Sequence, residues 1–247
     1  MRCLLIALTC GAWAVPGFGA DLRFVQDMST SPPFIEFVRG PEGRVTVTGG
    51  LLVELSRQLA AELGREATFM PMPRKRLEPA LQAGDADLLC YIDPAWLSEP
   101  ERLDWTGVFL RNENVLVART GQSLPSQLED LRQARIGTVA GYIYPEFQGR
   151  LGQDGLQRDD APNDATNLRK LVAGRVDYVV THRLYLDHML RVRPELREAI
   201  GGRLEIRRFE ARCAVSRRAS VSAAELDAAI ERLQRSGRWA AIVAAYR

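Results

Sequence analysis

Three basic residues in a row, Arg74, Lys75 and Arg76, begin a predicted helix and form the only tight basic cluster of the chain. Cations at a helix N-terminus oppose the helix dipole, at a cost of a few tenths to about 1 kcal/mol. This cost favours a compensating negative charge nearby, which an anionic ligand or an acidic side chain could supply. The alternative is a helix start that water solvates.

Aromatic and imidazole side chains are the next candidates for ligand contact. Trp96 follows a predicted strand end, where it could stack on a ligand; packing as a lid is the alternative. Tyr142 lies in a loop where a phenol presents an apolar face and a polar tip, and we expect its neighbour Tyr144 to pack. His182 ends a predicted strand and is a candidate contact, whereas His188 lies in an amphipathic helix and is expected to be structural.

Sequence motifs of enzymes and metal sites are missing. The chain has two histidines and contains no Gly-x-Ser-x-Gly, His-Glu-x-x-His or Cys-x-x-Cys pattern. Neither a hydrolase triad nor a zinc site therefore has its usual residues. A glycine-rich phosphate loop is missing as well, so we expect no cofactor and no metal.

Charge and hydropathy are typical of an exported globular protein. The 247 residues carry 33 basic and 31 acidic side chains, for a net charge of +2, which offers no basic field to nucleic acid. Residues 1–20 combine a basic start, an apolar run and a small-residue exit, which is the layout of a secretory signal peptide. We expect a mature start at Ala20 or Asp21 and a soluble, periplasmic product. A buried N-terminal helix is the alternative.

Two cysteines lie beyond that segment, Cys90 and Cys213, each in a strand-like run. In an oxidising compartment such a pair can form a disulfide, and two separate buried thiols are the alternative. Their spacing does not decide between these, because bridge geometry depends on the fold.

Two stretches 90 positions apart, residues 81–92 and 171–182, share one pattern. Each begins in a leucine-containing helix that stops at a glycine, which can take the left-handed conformation that ends a helix. Three residues later an aspartate, Asp87 or Asp177, begins an apolar run short enough to be a buried strand. Chance similarity is one interpretation, and a pair of similar α/β units is the other.

The order of predicted elements around each stretch is strand, helix, strand, helix, strand, which implies a parallel sheet with helices packed on it. Extended segments near residues 105–119 and 204–216 could cross between the two units. The sequence therefore predicts an α/β fold with two lobes, each a mostly parallel sheet flanked by helices. Lobe 1 would comprise residues 21–108 and 208–247 and lobe 2 residues 109–207, with the two crossing segments as a hinge.

In the order and spacing of its motifs, the chain resembles the family 3 extracellular solute-binding proteins, the periplasmic partners of polar amino-acid ABC importers. The resemblance covers nearly all of residues 21–247. It implies a two-lobed periplasmic-binding-protein fold of type II that closes on a small ligand, a monomer, and an ABC permease or membrane sensor as partner. The motifs that carry it are Pro-Pro-Phe34, Gly50-Leu-Leu-Val-Glu-Leu, Leu-Gln-Ala-Gly-Asp-Ala-Asp87, Leu128-Glu-Asp-Leu, Arg135-Ile-Gly-Thr-Val, Leu171-Val-Ala-Gly-Arg-Val-Asp177 and the closing run from Ile230 to Ile242.

By the same resemblance, the ends of the two paired strands face each other across a ligand cleft. Arg74 takes a position where the family often has an aromatic residue that stacks on the ligand. Val139, Gly141 and Tyr142 occupy a predicted strand-to-helix turn whose N–H groups and helix dipole suit an anion. The implied site residues are Ser31, Arg74, Tyr91, Asp93, Pro94, Trp96, Gly141, Tyr142, Thr181 and His182.

Two departures from the family pattern concern the ligand. Members that hold an α-amino acid usually carry an arginine five residues past the lobe 1 strand end, where this chain has Glu99, with Arg102 close by in sequence. The usual aspartate for the α-ammonium group is here His182. Because a buried ligand charge needs a partner, an ordinary α-amino acid fits this pattern poorly. We expect a small polar ligand that is anionic or zwitterionic, and an amino-acid-like compound is among the candidates.

Two other functions are weighed against binding. An enzyme on the same scaffold, resembling cyclohexadienyl dehydratase, needs a general acid in the cleft, and Glu36, Glu99 or His182 could serve. An accessory protein that has lost its ligand is the other possibility. We expect binding rather than catalysis.

Overall fold

The computed structural model describes residues 20–153 and 155–246, so the predicted signal peptide lies, up to residue 19, outside the described residues. The strands are β1 (Leu22–Asp27), β2 (Glu36–Arg39), β3 (Val45–Gly49), β4 (Ala67–Met72), β5 (Leu88–Ile92), β6 (Asp104–Trp105), β7 (Leu110–Arg119), β8 (Arg135–Val139), β9 (Gln157–Ala161), β10 (Tyr178–His182) and β11 (Ile200–Val215). The helices are α1 (Leu51–Glu62), α2 (Arg74–Ala83), α3 (Asp164–Val172), α4 (Arg183–Val192), α5 (Leu196–Ala199), α6 (Ala223–Arg235) and α7 (Arg238–Ala245). Within the described ranges, no helix is both long and apolar enough to cross a membrane.

One sheet runs through the molecule in the strand order β4-β1-β5-β11-β7-β10-β8-β9, with β6 paired to β11. Strands β1, β4 and β5 pair in parallel and form lobe 1, and strands β8, β9 and β10 pair in parallel and form lobe 2. Between them lie β11 and β7, which pair antiparallel to each other and to the adjoining strand of each lobe. The predicted fold class is confirmed: two mostly parallel α/β units are joined by two long strands.

Helices cover both faces of the lobe 1 sheet. On one face, α1 and α6 bury Leu55, Leu59 and Leu226 completely. On the other face, α2 packs Leu77 and Leu81 against the sheet. Because successive strand residues point to opposite faces, β1 supplies both layers of the core, and its end is held rigidly at the cleft.

The two paired stretches fold alike. Leu81 and Leu171 are fully buried, and the glycines that follow have positive φ angles, 78° at Gly84 and 68° at Gly174. A left-handed residue at this position ends a helix with little strain only when it is glycine. The predicted helix stops are therefore present in both lobes.

The two aspartates make the same backbone contacts. Asp87 accepts a hydrogen bond from the Arg23 N–H at 2.8 Å, and Asp177 accepts one from the Arg135 N–H at 2.7 Å. In return, each aspartate N–H donates to the carbonyl of the same arginine at 2.9 Å. Each pair ties the start of the second parallel strand to the start of the first, so the repeat is a structural one.

The sequence pattern predicts a short helix at residues 126–132 and a loop at residues 140–147 that leads into a helix, but neither helix forms. Residues 126–132 contain only a 3₁₀ turn, Leu128–Asp130, and the chain after β8 passes through a loop to another short 3₁₀ turn, Pro145–Phe147. The residue before a proline is biased away from helical geometry, and Gly141 has a φ of 79°. The loop before Pro145 is therefore irregular.

Cys90 and Cys213 form a disulfide that joins β5 to β11. The two residues face each other directly across the antiparallel pair, with their Cα atoms 3.9 Å apart. Of the two alternatives left by the sequence, the structure has the bridge. It fixes lobe 1 to one of the two crossing strands.

Candidate functional site

A cleft lies between the lobes at the carboxyl ends of the parallel strands, where open α/β sheets bind ligands. It is narrow, with little free space between the side chains of the two lobes. Six of the ten predicted site residues border it: Arg74, Tyr91, Trp96, Tyr142, Thr181 and His182. The sequence did not indicate several others that also border it, among them Gln26, Asp27, Phe34, Asn114 and Asp164.

Arg74, the first residue of α2, extends its guanidinium across the cleft. One Nη donates to the Trp96 carbonyl at 3.0 Å, and the other lies 3.6 Å from Asp27 Oδ2. The guanidinium carbon is 5.1 Å from the centre of the Tyr142 ring, within cation–π range. Asp27 therefore supplies the compensating negative charge that was expected near the basic cluster.

Asp27 ends β1 and is 6% exposed. Its Oδ1 accepts hydrogen bonds from the Ser29 N–H at 2.9 Å and from Ser29 Oγ at 2.5 Å. Its Oδ2 is buried and has no hydrogen-bond partner among the described residues. A buried carboxylate oxygen without a hydrogen bond is costly, so this oxygen is available to a ligand.

Asp164 is the lobe 2 counterpart of Arg74. Each is the first residue of its helix and lies ten positions before the helix-ending glycine, so one lobe presents a cation where the other presents a carboxylate. Asp164 is 4% exposed and accepts a hydrogen bond from Thr181 Oγ1 at 2.8 Å. Burial, with a smaller contribution from the negative charge of Asp27, raises its pKa to about 6.

His182 inserts from lobe 2 into an aromatic cluster. Its imidazole centre lies 5.7 Å from that of Phe34, 5.5 Å from Tyr91, 5.8 Å from Trp96 and 5.4 Å from Phe209. Burial lowers its pKa to about 4, so the ring is neutral at pH 7. His182 therefore cannot replace the charge of the family's aspartate, although it borders the cleft.

Tyr91 owes its position in this cluster to a bulge in β5. Cys90 pairs with Cys213 and Ile92 with Arg212, which leaves Tyr91 as an extra residue with a φ of 66°. A bulky residue with positive φ is uncommon, and such strained residues concentrate at functional sites. Its hydroxyl accepts a 2.6 Å hydrogen bond from Asn112 Nδ2 on the crossing strand β7.

The helix predicted to follow the turn after β8 does not form. No α-helix directly follows Gly141, so this turn directs no helix dipole at the cleft. The Val139 N–H already donates to the Tyr144 hydroxyl at 2.8 Å, a structural role that fits the expected packing of Tyr144. Gly141 itself is exposed and lies against the Arg74 side chain. Tyr142, in the same loop, also reaches the other lobe, with its hydroxyl 3.3 Å from Ser29 Oγ.

Three other predicted residues lie beside the cleft and not in its lining. Ser31 is buried in a turn in which its carbonyl accepts from the Phe34 N–H. Asp93 accepts from the Ala95 N–H at 2.9 Å and forms an ion pair with Arg207 at 2.7 Å. Pro94 begins the 3₁₀ turn that Asp93 caps. Asp93 and Pro94 border a separate pocket.

The carboxylates considered as general acids lie outside the cleft. Glu36 and Glu99 are exposed, and neither is among the residues that border it. Arg102 forms a surface ion pair with Glu99 at 2.9 Å, so it does not take over the missing carboxylate anchor. Of the three residues proposed from the sequence for acid catalysis, only His182 borders the cleft.

Comparison with known proteins places the chain among binding proteins. The family model described as bacterial extracellular solute-binding proteins, family 3, matches residues 25–247. No curated protein matches the chain by sequence.

Solved structures with the same fold cover almost the whole chain. One is an ancestral arginine-binding protein bound to arginine, with TM-score 0.73 and 22% identity over 93% of this chain and 99% of that one. A histidine kinase sensor domain similar to periplasmic binding proteins has TM-score 0.71 and 25% identity over 92% and 95%. An ancestral amino-acid-binding protein, described as a precursor of cyclohexadienyl dehydratase, has TM-score 0.70 and 17% identity over 92% and 95%.

Proposed function

The chain belongs to the bacterial extracellular solute-binding proteins of family 3, and we propose that it is a periplasmic protein that closes on one small polar ligand and presents it to an ABC permease or a membrane sensor. The observation that carries this proposal is the interlobe cleft, in which both lobes bury polar side chains. Asp27 Oδ2 is buried there without a hydrogen bond among the described residues. A ligand would supply the missing partner.

Ligand entry requires the lobes to separate, because the cleft in this structure is nearly closed. We propose that β7 and β11 form the hinge between a first lobe of residues 21–108 and 208–247 and a second lobe of residues 109–207. Register shifts in the β11–β7 pair near Arg207 support a bend there, since bulges kink strands locally.

The charges in the cleft favour an amino-acid-like ligand over a simple anion. Arg74 already contacts Asp27 and the Trp96 carbonyl, whereas Asp164 forms no ion pair with the residues that the structure describes. A zwitterion could place its ammonium group near Asp164 and its carboxylate near Arg74. Arginine bound to one protein of the same fold supports this class.

An enzyme on this scaffold is the second candidate, and one observation favours it. Asp164 lies in the cleft with a pKa raised to about 6 by burial, which is the range of a general acid. The ancestral binding protein that is described as a precursor of cyclohexadienyl dehydratase has the same fold, which supports an enzyme as the second candidate. Product formation from prephenate or arogenate would favour the enzyme, and saturable binding without product would exclude it.

A thermal-shift screen of amino acids, amines and organic acids tests the binding function. A ligand at 100 times its Kd adds about 2.7 kcal/mol to the stability of the protein, which is readily measured. We expect Arg74→Ala to weaken binding of a hit that carries a carboxylate, and Tyr142→Ala to weaken binding of any hit, at least about tenfold, a change of about 1.4 kcal/mol. Arg76→Ala, an exposed change in the same helix, is the matched control and should leave affinity unchanged.

Two results of this screen would contradict the proposal. Unchanged affinity in both cleft variants would mean that the ligand binds elsewhere. A screen without any thermal shift would favour an accessory protein that has lost its ligand.

A further inference from the structure

The cleft contains two buried carboxylates and one cation, and we propose that it selects ligands of net positive charge, whose cationic group lies between Asp27 and Asp164. This inference rests on the proposed binding function and narrows its ligand class. It follows from the charges that face the cleft and from the partners those charges already have.

Counting the charges in the lining gives a deficit of one positive charge. Among the lining side chains that the structure describes, Asp27 and Asp164 are acidic and Arg74 is the one permanent cation. His182 also borders the cleft but is neutral at pH 7. With both carboxylates ionised the cleft carries a net charge of −1. A bound zwitterion does not change this charge, a bound anion makes it more negative, and a bound cation neutralises it.

Burial makes this imbalance energetically significant. Asp27 and Asp164 are 6% and 4% exposed, and a buried charge without a partner is strongly unfavourable. Asp164 receives one side-chain hydrogen bond, from Thr181, and lies at the N-terminus of α3, where the helix dipole favours a negative charge. It therefore stays largely ionised at neutral pH and is available to a cation.

The arrangement of Arg74 points the same way. Its guanidinium faces Asp27 Oδ2 at 3.6 Å, which is beyond a normal hydrogen bond. The second guanidinium nitrogen is occupied by the Trp96 carbonyl. Arg74 thus compensates Asp27 incompletely and leaves Asp164 uncompensated.

Aromatic faces around the carboxylates suit a cation as well. Tyr91, Trp96 and Tyr142 border the same cleft, and ring faces attract ammonium and guanidinium groups. Tyr142 already accommodates the guanidinium of Arg74 at 5.1 Å. An alkylammonium or guanidinium compound therefore matches both the charge and the walls of the site.

Calorimetric titration of the purified protein at pH 7.5 tests the inference with L-arginine, agmatine, L-citrulline and L-glutamate. L-Arginine and L-citrulline have nearly the same shape and differ in net charge, and agmatine keeps the guanidinium without a carboxylate. We expect at least one of the two cations to bind at least tenfold more tightly than L-citrulline and L-glutamate. Equal or tighter binding of L-citrulline or L-glutamate would overturn the charge preference.

The Asp164→Asn variant tests the contribution of the negative charge of Asp164 alone. It preserves the shape and can still accept the Thr181 hydrogen bond, so we expect it to fold and to bind the cation at least tenfold more weakly. Asp159→Asn, which removes a carboxylate paired with Lys170 outside the cleft lining, should bind like the wild type. An unchanged affinity in Asp164→Asn would contradict the assignment.

The experiment separates the inference from the function on which it rests. Tight binding of a neutral or acidic compound would keep the binding function and remove the charge preference. Failure of all four compounds, together with no shift in the broader thermal screen, would contradict the binding function itself.

Discussion

The two α/β units that contain the paired stretches match at one end and diverge at the other. Far from the cleft, Asp87 and Asp177 make the same pair of backbone hydrogen bonds to the neighbouring strand. At the cleft, the equivalent helix starts carry opposite charges, Arg74 and Asp164. The shared aspartate contacts are those that each α/β unit needs in order to form. The opposite charges at the helix starts show where the fold permits side chains to vary and so to determine which ligand binds.

The strands that follow also differ in how they are held. β5 is linked to β11 by the Cys90–Cys213 disulfide, whereas β10 is held against β7 by hydrogen bonds alone, with Val180 opposite Leu116. Lobe 1 is thereby fixed to a crossing strand, while lobe 2 contributes His182 to the shared aromatic cluster. The asymmetry suits a hinged protein in which one lobe moves relative to the other.

Removing the disulfide should have the largest effect on this comparison. Reduction, or the double change Cys90→Ala and Cys213→Ala, opens a bridge that spans 123 residues. We expect a loss of about 2–5 kcal/mol in the free energy of unfolding, measured by urea denaturation with and without reductant. A loss below about 1 kcal/mol would mean that β5 is held to β11 as β10 is held to β7, without need of the bridge.

The two cleft residues with displaced pKa values should give opposite pH dependences. The pKa of His182 falls from 6.5 to about 4 on folding, so its stabilising contribution is present above pH 6.5 and is lost as the pH falls towards 4. The pKa of Asp164 rises from 3.8 to about 6, so its contribution is present below pH 3.8 and is lost as the pH rises through 6. In the wild type the two trends largely cancel.

Single variants should separate these trends. Asp164→Asn should lose up to about 3 kcal/mol of stability between pH 6.5 and pH 4, because the histidine trend is no longer opposed. His182→Phe, which keeps an aromatic ring in the cluster, should become more stable over the same interval. Thermal or urea unfolding across this pH range provides the measurement. If the stability of both variants changed with pH in the same direction, the predicted opposite contributions of His182 and Asp164 would be refuted.

The smallest effect is expected where the stretches match. Asp87→Ala should cost about 2–3 kcal/mol and Asp177→Ala about 1 kcal/mol. Asp87 is buried and also binds the Arg23 guanidinium, whereas Asp177 is only partly buried. Asp85→Ala, an exposed neighbour, is the control and should stay within about 0.5 kcal/mol of the wild type. Equal losses at Asp87 and Asp177 would show that burial does not distinguish the two lobes.

Local patterns predicted the scaffold well. The helix stops at Gly84 and Gly174 depend on residues that are close in sequence. The helix predicted after the loop of residues 140–147 does not form, because Gly149, Gly152 and Gly155 follow that loop directly and glycine disfavours a helix interior.

The site was predicted only in part, because its contacts join residues that are distant in sequence. His182 was found as a candidate, but its aromatic surroundings come from three separate segments, represented by Phe34, Trp96 and Phe209. Asp164 was missed as a site residue. The 90-residue repeat makes it the position equivalent to Arg74, and this equivalence could have revealed it. The sequence left the choice between a disulfide and two separate thiols undecided for the same reason, because the register of the strands is set by the whole sheet.

Native mass spectrometry of the natively purified protein, beside its Asp164→Asn variant, tests the central claim most directly. We predict one small molecule of net positive charge per wild-type chain, released chemically unchanged on denaturation, and a much lower occupancy in the variant. The same occupancy in both proteins, or a released molecule that is neutral or acidic, would contradict a cleft that selects its ligand through the carboxylate of Asp164.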